Sequence, residues 1–325
     1  MTTQFKWLDF KITNRCNNQC VYCGGNNDPP SASELLSFPV IKSTLLDAVD
    51  ANFTHLSFLG GEPSIRKDIC DIINVVANIK DLNLLLITNL KEFNLKMYKS
   101  LFQTKSISAE IVASFENFSF PNYKRVDPSV SLERILKIKK LAKKYNTTRK
   151  RAISLHSVIS RENFYKIGQF VKYFYRKGIQ ISLGLVCPSI FTETPSAFNE
   201  FRKNEISMII DQLNNLEVLG MLNYANQVLR DFLEIYTFGQ FSHKDDCRAG
   251  KKQVIINSDG EVFPCISESY LSDKHYGNIK SERFSLILKK LENFQCSMTP
   301  NSACWDHFLW DNLANKLEKE GLNEA

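Results

Sequence analysis

The stretch from Trp7 to Gly25, "WLDFKITNRCNNQCVYCGG", decides how the rest of the chain is read. Its first half, Trp7–Thr13, is apolar and aromatic with a polar residue at every second or third place, the pattern of a strand. Its second half places Cys16, Cys20 and Cys23 within eight residues and offers no histidine beside them. A structural zinc ion closes its shell with four ligands. Three neighbouring thiolates without imidazole fit a 4Fe–4S cluster better, with three irons held and the fourth open to an exogenous ligand. The alternative on spacing alone is a zinc knuckle that lacks one ligand. If Trp7–Thr13 is the first strand of a parallel sheet, this loop lies at the C-terminal mouth of the sheet, where α/β folds place their chemistry.

Working outward, short apolar runs alternate with amphipathic ones. Trp7–Thr13, Thr54–Leu59, Asn83–Thr88, Ser106–Ala113, Arg151–Val158 and Ile179–Val186 read as strands. Helical patterns stand between them: one after Pro39, one from Lys67 to Ile79, and one from Glu92 to Phe102. In "DPSVSLERILKIKKLAKKY", Asp127 is a cap, Pro128 suits the first turn, and Leu132, Ile135, Leu136 and Leu141 are expected on one face. A further helix is expected after Ser160, its cap, and before Gly178, its stop. Six βα repeats predict a parallel sheet with helices outside it. After Pro188 the rhythm changes to two longer helices, Pro195–Leu216 and Tyr224–Tyr236. Then "QVIINSDGEVFPC" predicts a hairpin with a tight primed turn at Asp259-Gly260. Helices at Glu282–Phe294 and Trp305–Lys319 follow.

C-x-x-x-C-x-x-C after a first strand resembles the radical S-adenosylmethionine (SAM) superfamily. The second strand then runs into "FLGGEPSIR", where Gly60-Gly61-Glu62-Pro63 is similar to that superfamily's GGE motif. Together the two motifs span the first two βα units in the expected order. The resemblance implies a partial (βα)6 TIM-like barrel, an α/β fold. It also implies a SAM-binding 4Fe–4S cluster on Cys16, Cys20 and Cys23, and SAM itself as second cofactor. Glycines allow close backbone approach to a ligand, and Glu62 is expected to accept hydrogen bonds from the ammonium of SAM. By the same resemblance Tyr22 lies near the adenine, Ser114 and Glu116 near the ribose, and Arg125 near the SAM carboxylate. His156 reads as a packed strand histidine. Cys187 ends the sixth strand and is the candidate hydrogen-atom donor. Cys70, within a helix, reads as core.

The chain has nine cysteines, four of them in its last quarter. Cys247 and Cys265 are eighteen positions apart with the hairpin between them, and Cys296 and Cys304 follow. This resembles a SPASM or twitch domain. Four thiolates suffice for one auxiliary 4Fe–4S cluster, whereas spacing alone also suits a Cys-four zinc hairpin. The expected division is 1–190 for the barrel, 191–240 for a helical connection and 241–325 for the small twitch-like iron–sulfur domain.

Composition narrows the classes. The chain of 325 residues is 43% hydrophobic, enough for a large core, and carries a net charge of only +6. Its basic run "KIKKLAKKYNTTRKR" reads as the solvated face of a helix, so no nucleic-acid partner is expected. There is no signal-peptide pattern and no run of roughly 18 apolar residues, so a cytoplasmic, non-membrane protein is expected. The reading is an enzyme, a radical SAM oxidoreductase or maturase supplied by a low-potential donor of flavodoxin or ferredoxin type. Its similarity to SPASM and twitch proteins implies a ribosomally made peptide as substrate, with crosslinking, epimerisation or oxidation as outcomes. No N-terminal leader-binding domain fits before a strand that starts near residue 7. A small-molecule dehydrogenase or epimerase acting on a sugar, aminocyclitol or nucleotide is therefore the second reading, and a non-catalytic iron–sulfur sensor the third.

Overall fold

Each of the six apolar runs read as a strand forms one, and the strands lie side by side in chain order. The structure is a computed structural model that describes residues 6–18, 20, 23, 28–105, 108–115, 128–145, 152–161, 163–185, 201–238, 249–271 and 274–295. The strands are β1 (Trp7–Thr13), β2 (His55–Gly60), β3 (Asn83–Thr88), β4 (Ser108–Ser114), β5 (Ile153–Ile159) and β6 (Gln180–Leu185). Helices α1 (Phe38–Asp50), α2 (Ile69–Val76), α3 (Leu95–Phe102), α4 (Pro128–Tyr145) and α5 (Ile167–Arg176) alternate with them. Then come α6 (Lys203–Val218), α7 (Tyr224–Phe238), β7 (Gln253–Ile256), β8 (Val262–Phe263), α8 (Ile266–Leu271) and α9 (Phe284–Leu291). The expected helix Trp305–Lys319 lies outside the described residues.

The sheet has eight strands in the order β6-β5-β4-β3-β2-β1-β7-β8. Strands β1 to β7 pair in parallel and β8 runs antiparallel to β7. The strand of the C-terminal hairpin therefore extends the barrel sheet beside β1 instead of standing apart from it. One face of the sheet carries Leu8, Phe10, Ile12, Leu56, Phe58, Leu84, Leu86, Ile111, Leu155 and Leu183, all buried against Ile41, Leu45, Ile72, Leu101, Ile135 and Phe174 of the helices. The opposite face, which takes the alternate residues of each strand, mixes polar and apolar side chains. Its lower rows are closed. Trp7 donates from Nε1 to Asp9 Oδ1 (2.9 Å) and Ser57 Oγ (2.8 Å), Gln253 Nε2 donates to Asp9 Oδ2 (3.3 Å), and His55 stacks on Trp7 at 4.9 Å. Burial pushes the Asp9 carboxyl up and the His55 imidazole down to about 3. The rows toward the C-terminal strand ends are half-exposed: Leu59, Ile87, Val112, Ser114 and His156. Around β1, β2 and β7 the sheet is thus plugged toward the N-terminal strand ends, and the cysteine loop leaves β1 at the other end.

Four expectations differ in detail. The buried face of α4 is Ser131, Ile135, Ile138 and Ala142, with Leu132 and Leu141 at its flanks and Leu136 exposed. Position 136 stands about 100° round the helix from 135, so it cannot share that face. Among the basic residues that follow, Lys139 is not merely solvated, because its Nζ donates to the carbonyls of Lys177 and Gly178 at the end of α5 (3.0 Å to Gly178 O). Gly178 stops α5 at φ +64 as expected, but the turn before α5 is closed by Asn163, whose Oδ1 accepts from Ser160 N at 2.8 Å. The hairpin turn is not primed. Gly260 alone has positive φ (+94), and it donates to Asn257 O at 2.9 Å while Asn257 N donates to Glu261 O at 2.8 Å. That is a tight turn followed by a left-handed glycine, the bulged form of a longer loop.

Candidate active site

The chain leaves β1 into a loop that is fastened at both ends. Cys16 N donates to Asp28 O and Asp28 N to Asn14 O, each at 2.9 Å, and Asn14 Nδ2 reaches Asp28 Oδ2 at 3.1 Å. Between these clasps stand the three thiols: Cys16 buried, Cys20 half-buried and Cys23 exposed, with Cys23 N donating to Cys20 O at 3.1 Å. Burial pushes the Cys16 thiol up, and the nearby Glu62, Cys20 and Cys23 add to this.

The glycines of GGEP fit this loop, and for a reason the sequence did not supply. A Cβ on Gly60 would stand 2.1 Å from Thr13 O, and one on Gly61 2.1 Å from Arg15 O. Gly61 N donates to Thr13 O (2.9 Å) and Glu62 N to Arg15 O (2.8 Å), so the β1–β2 ladder continues into the cysteine loop. The close approach is to the chain's own backbone. Glu62 is fully buried, and both its oxygens are engaged. Oε1 accepts from Ser64 N (3.0 Å) and Thr88 Oγ1 (2.7 Å), and Oε2 from Asn89 N (2.6 Å). Burial raises its carboxyl above the usual range although these donors pull it back. Pro63 is buried and opens the 3-10 turn Pro63–Ile65.

A buried ion network braces the loop from below. Arg66, 2% exposed, donates to Ile12 O (2.6 Å), Leu36 O (3.2 Å), Glu34 Oε2 (3.3 Å) and both oxygens of Asp68 (2.8 Å each). Glu34 also accepts from Arg15 Nη1 (2.7 Å) and Thr13 Oγ1 (2.8 Å). From above, Asn89 at the end of β3 donates from Nδ2 to Asn17 Oδ1 (2.9 Å) and lies 3.9 Å from Cys16 Sγ. Sequence reading missed Arg66, Glu34, Asn89 and Asn18. Arg66 stood in the quoted "FLGGEPSIR" without a role, and Asn89 has no periodicity to mark it.

Ser114 faces the side of the sheet away from the helices, level with His156 on β5 and, through it, with Ser182 on β6. His156 Nδ1 and Ser182 Oγ are 3.1 Å apart. Cys70 is buried in the core. Tyr22, Glu116, Arg125 and Cys187 lie outside the described residues, as do Cys247, Cys296 and Cys304. Cys265 is buried against Ala249, Phe294 and Tyr276 at the start of α8, where Glu268 N donates to its Sγ at 3.3 Å. Gly250 N donates to Pro264 O at 3.0 Å, which joins the segment beginning at Ala249 to Cys265.

The residues present fit a cluster better than a single ion. The donor set is three thiols on one loop with no imidazole among them, and a cluster takes each thiolate on a different iron. N–H donors face the Cys16 sulfur, with Asn18 N at 3.4 Å and Asn89 Nδ2 at 3.9 Å. The amide of Asn18 is buried in the same loop with both polar atoms unpartnered.

A parallel barrel sheet with three thiols clasped at the C-terminal end of β1 defines a cluster-dependent α/β enzyme. The chain belongs to the radical SAM superfamily, whose model matches residues 10–174. Residues 247–306 match the SPASM model, an iron–sulfur cluster-binding domain, and the two together imply 4Fe–4S clusters and SAM as cofactors. Streptococcus suis SuiB bound to precursor peptide SuiA has a similar fold, with TM-score 0.67 and 17% identity over 95% of this chain and 71% of SuiB. So does anSMEcpe with bound AdoMet and Kp18Cys peptide, with TM-score 0.64 and 17% identity over 95% of this chain and 99% of that one. GTP 3',8-cyclase of Vibrio parahaemolyticus is 39% identical, but the match spans only 23% of either chain. The Nautilia profundicola cyclase is 24% identical over 81% of this chain and 82% of its own. Among the described residues no helix is long and apolar enough to cross a membrane.

Proposed function

We propose that the protein cleaves SAM reductively and abstracts a hydrogen atom from a ribosomally made peptide, as an oxidoreductase or maturase. Cys16, Cys20 and Cys23 hold the SAM-binding cluster, and Cys247, Cys265, Cys296 and Cys304 hold one auxiliary cluster. The observation that carries this reading is the clasped three-thiol loop at the C-terminal end of β1, joined through Gly61 and Glu62 to the end of β2. When bound, the cluster supplies the electron that breaks a carbon–sulfur bond of SAM and releases the 5′-deoxyadenosyl radical. The protein's own part is placement and exclusion of water. Glu62 fixes Ser64, Thr88 and Asn89 around the cysteine loop. Ser114 and Glu116 take the ribose, Arg125 the SAM carboxylate and Tyr22 the adenine, and Cys187 serves as hydrogen-atom donor. The functional division is 1–190, 191–240 and 241–325. A reducing cytoplasm and a flavodoxin- or ferredoxin-type donor suit exposed thiols and a low-potential cluster.

The peptide substrate is supported by the likeness to SuiB and anSMEcpe over 95% of the chain, both seen with peptides. A small-molecule substrate, a nucleotide foremost, is the second reading and is supported by the Nautilia profundicola cyclase match. The test is anaerobic reconstitution with SAM and a strong reductant. 5′-Deoxyadenosine should form, and deuterium from a labelled substrate should enter it for a peptide or for a nucleotide, but not both. A sensor would form none. Iron analysis should give about eight irons per chain if both sites hold four-iron clusters. About four irons plus one zinc would remove the auxiliary cluster.

A further inference from the structure

The turn that follows β3 is held more firmly than a connection needs. Leu90 is fully buried at φ +58, a conformation that non-glycine residues adopt only when their surroundings impose it. Thr88 Oγ1 accepts from Leu90 N (3.2 Å) and donates to Glu62, and Arg134 of α4 donates to the carbonyls of Leu90 and Lys91 (2.6 Å to Lys91 O). What this turn aims is Asn89. Its backbone N–H is taken by Glu62 Oε2 (2.6 Å), and its Oδ1 accepts from Lys91 N (2.8 Å). The second contact settles which way the amide faces, with Nδ2 toward the cysteine loop. One Nδ2 hydrogen goes to Asn17 Oδ1 at 2.9 Å, and the other faces Cys16 Sγ at 3.9 Å.

We propose that Asn89 is a positioning residue for the thiolate of Cys16: its amide N–H, aimed by the Glu62 carboxylate and the strained Leu90 turn, tunes the reduction potential of the cluster bound there. This rests on the reading that Cys16, Cys20 and Cys23 ligate that cluster. A turn needs only the Asn89 oxygen, and aspartate would supply that equally well. The amide adds a donor, which serves Asn17 Oδ1 with one hydrogen and leaves the other for the Cys16 sulfur. An N–H directed at a cluster sulfur stabilises the reduced, more negative form and raises the potential. Removing the donor lowers it, and a carboxylate in its place lowers it further.

The experiment compares Asn89→Asp and Asn89→Ala with the wild-type holoenzyme in an anaerobic, EPR-monitored redox titration. The cluster is recognised as the one whose signal changes when SAM is added. Both variants should retain wild-type iron. Asn89→Asp should show about a tenfold fall in the ratio of reduced to oxidised cluster at fixed potential, about 59 mV for one electron. Asn89→Ala should shift in the same direction by less. An unchanged potential in both loaded variants overturns the proposal. So does loss of iron from both, because the contact would then hold the loop together and tune nothing. Replacing Cys16, Cys20 and Cys23 together by Ala tests the underlying reading separately. It should remove about four irons and the SAM-responsive signal; if both persist, the ligand assignment fails whatever Asn89 does.

Discussion

Gly61 carries more of the site than its size suggests. A methyl group there would overlap Arg15 O at 2.1 Å, and no rotamer change relieves a clash between Cβ and backbone. Gly61→Ala is expected to cost about 2–3 kcal/mol of stability and to reduce cluster loading, as measured by anaerobic denaturation and iron content. His55 makes a different test at the plugged end. Its imidazole is held down to about 3 by burial, from an ordinary 6.5. The unfolded chain therefore binds the extra proton between those values. The stability from the neutral ring is complete above pH 6.5 and is lost as pH falls toward 3, by about 1.4 kcal/mol per unit. His55→Phe keeps a ring against Trp7 and should flatten this slope between pH 6.5 and 5 in denaturation curves. An equal slope in both proteins would contradict the assignment. At this scale the cysteines and GGEP were legible because their spacing is local. The reason for the glycines was not, because it lies in Thr13 and Arg15, far away in sequence. Asn89 was silent for the same reason: its partners are Asn17 and Cys16, more than seventy positions away.

Elements are positioned by side chains that finish the backbone's hydrogen bonding. Arg66, just after the 3-10 turn that follows β2, binds a carbonyl near the end of β1 (Ile12 O) and one in the segment before α1 (Leu36 O), and Glu34 joins it to Arg15 in the cysteine loop. Arg66→Met would strand Glu34 and Asp68 without their buried cation. The expected loss is about 3–5 kcal/mol, read by denaturation. Arg66→Lys should restore little of it, since an ammonium cannot bridge Asp68 bidentately while reaching both carbonyls. At the far edge, no further strand pairs with β6 among the described residues. The Asn226 side chain of α7 takes its place, accepting from Leu183 N (2.8 Å) and donating to Ile181 O (2.9 Å), which Asn223 also reaches (2.6 Å). Asn226→Ala should cost about 2 kcal/mol and speed amide exchange at Leu183. The strands were read nearly residue for residue because each is a short apolar or alternating run bounded by polar and turn residues. The face of α4 was misjudged at Leu136 because leucine content is not angular position. The type of hairpin turn was misjudged because Asp-Gly also serves a bulged loop.

The whole molecule turns on β7. A sequence with cysteines at both ends reads as two bodies, and nothing local announces that Gln253–Ile256 will lie beside Trp7–Phe10. Long-range pairing is invisible to periodicity, although both strands were individually legible. The pairing has a consequence for the cysteine loop, because β1 carries it. β7 supplies the partner on one edge of β1, and Gln253 reaches Asp9 inside the plug. Helix α9 then seats Phe284 against Phe53 (6.0 Å) and ties Asp47 of α1 to Arg283 (2.5 Å) and Ser285 N (3.1 Å). Removing everything after Phe238 would leave one edge of β1 unpaired and strip Val254, Ile256, Phe284, Ile287 and Leu291 from the core cluster. Such a chain is expected to lose iron from the N-terminal loop as well as from the C-terminal site, with rapid amide exchange along β1. Cys265→Ala leaves those strands and helices in place, and it should lose only the auxiliary iron, about four atoms. If the shortened chain retained the SAM-responsive EPR signal at wild-type iron stoichiometry for one cluster, β7 would be dispensable to the barrel and to the loop that β1 carries.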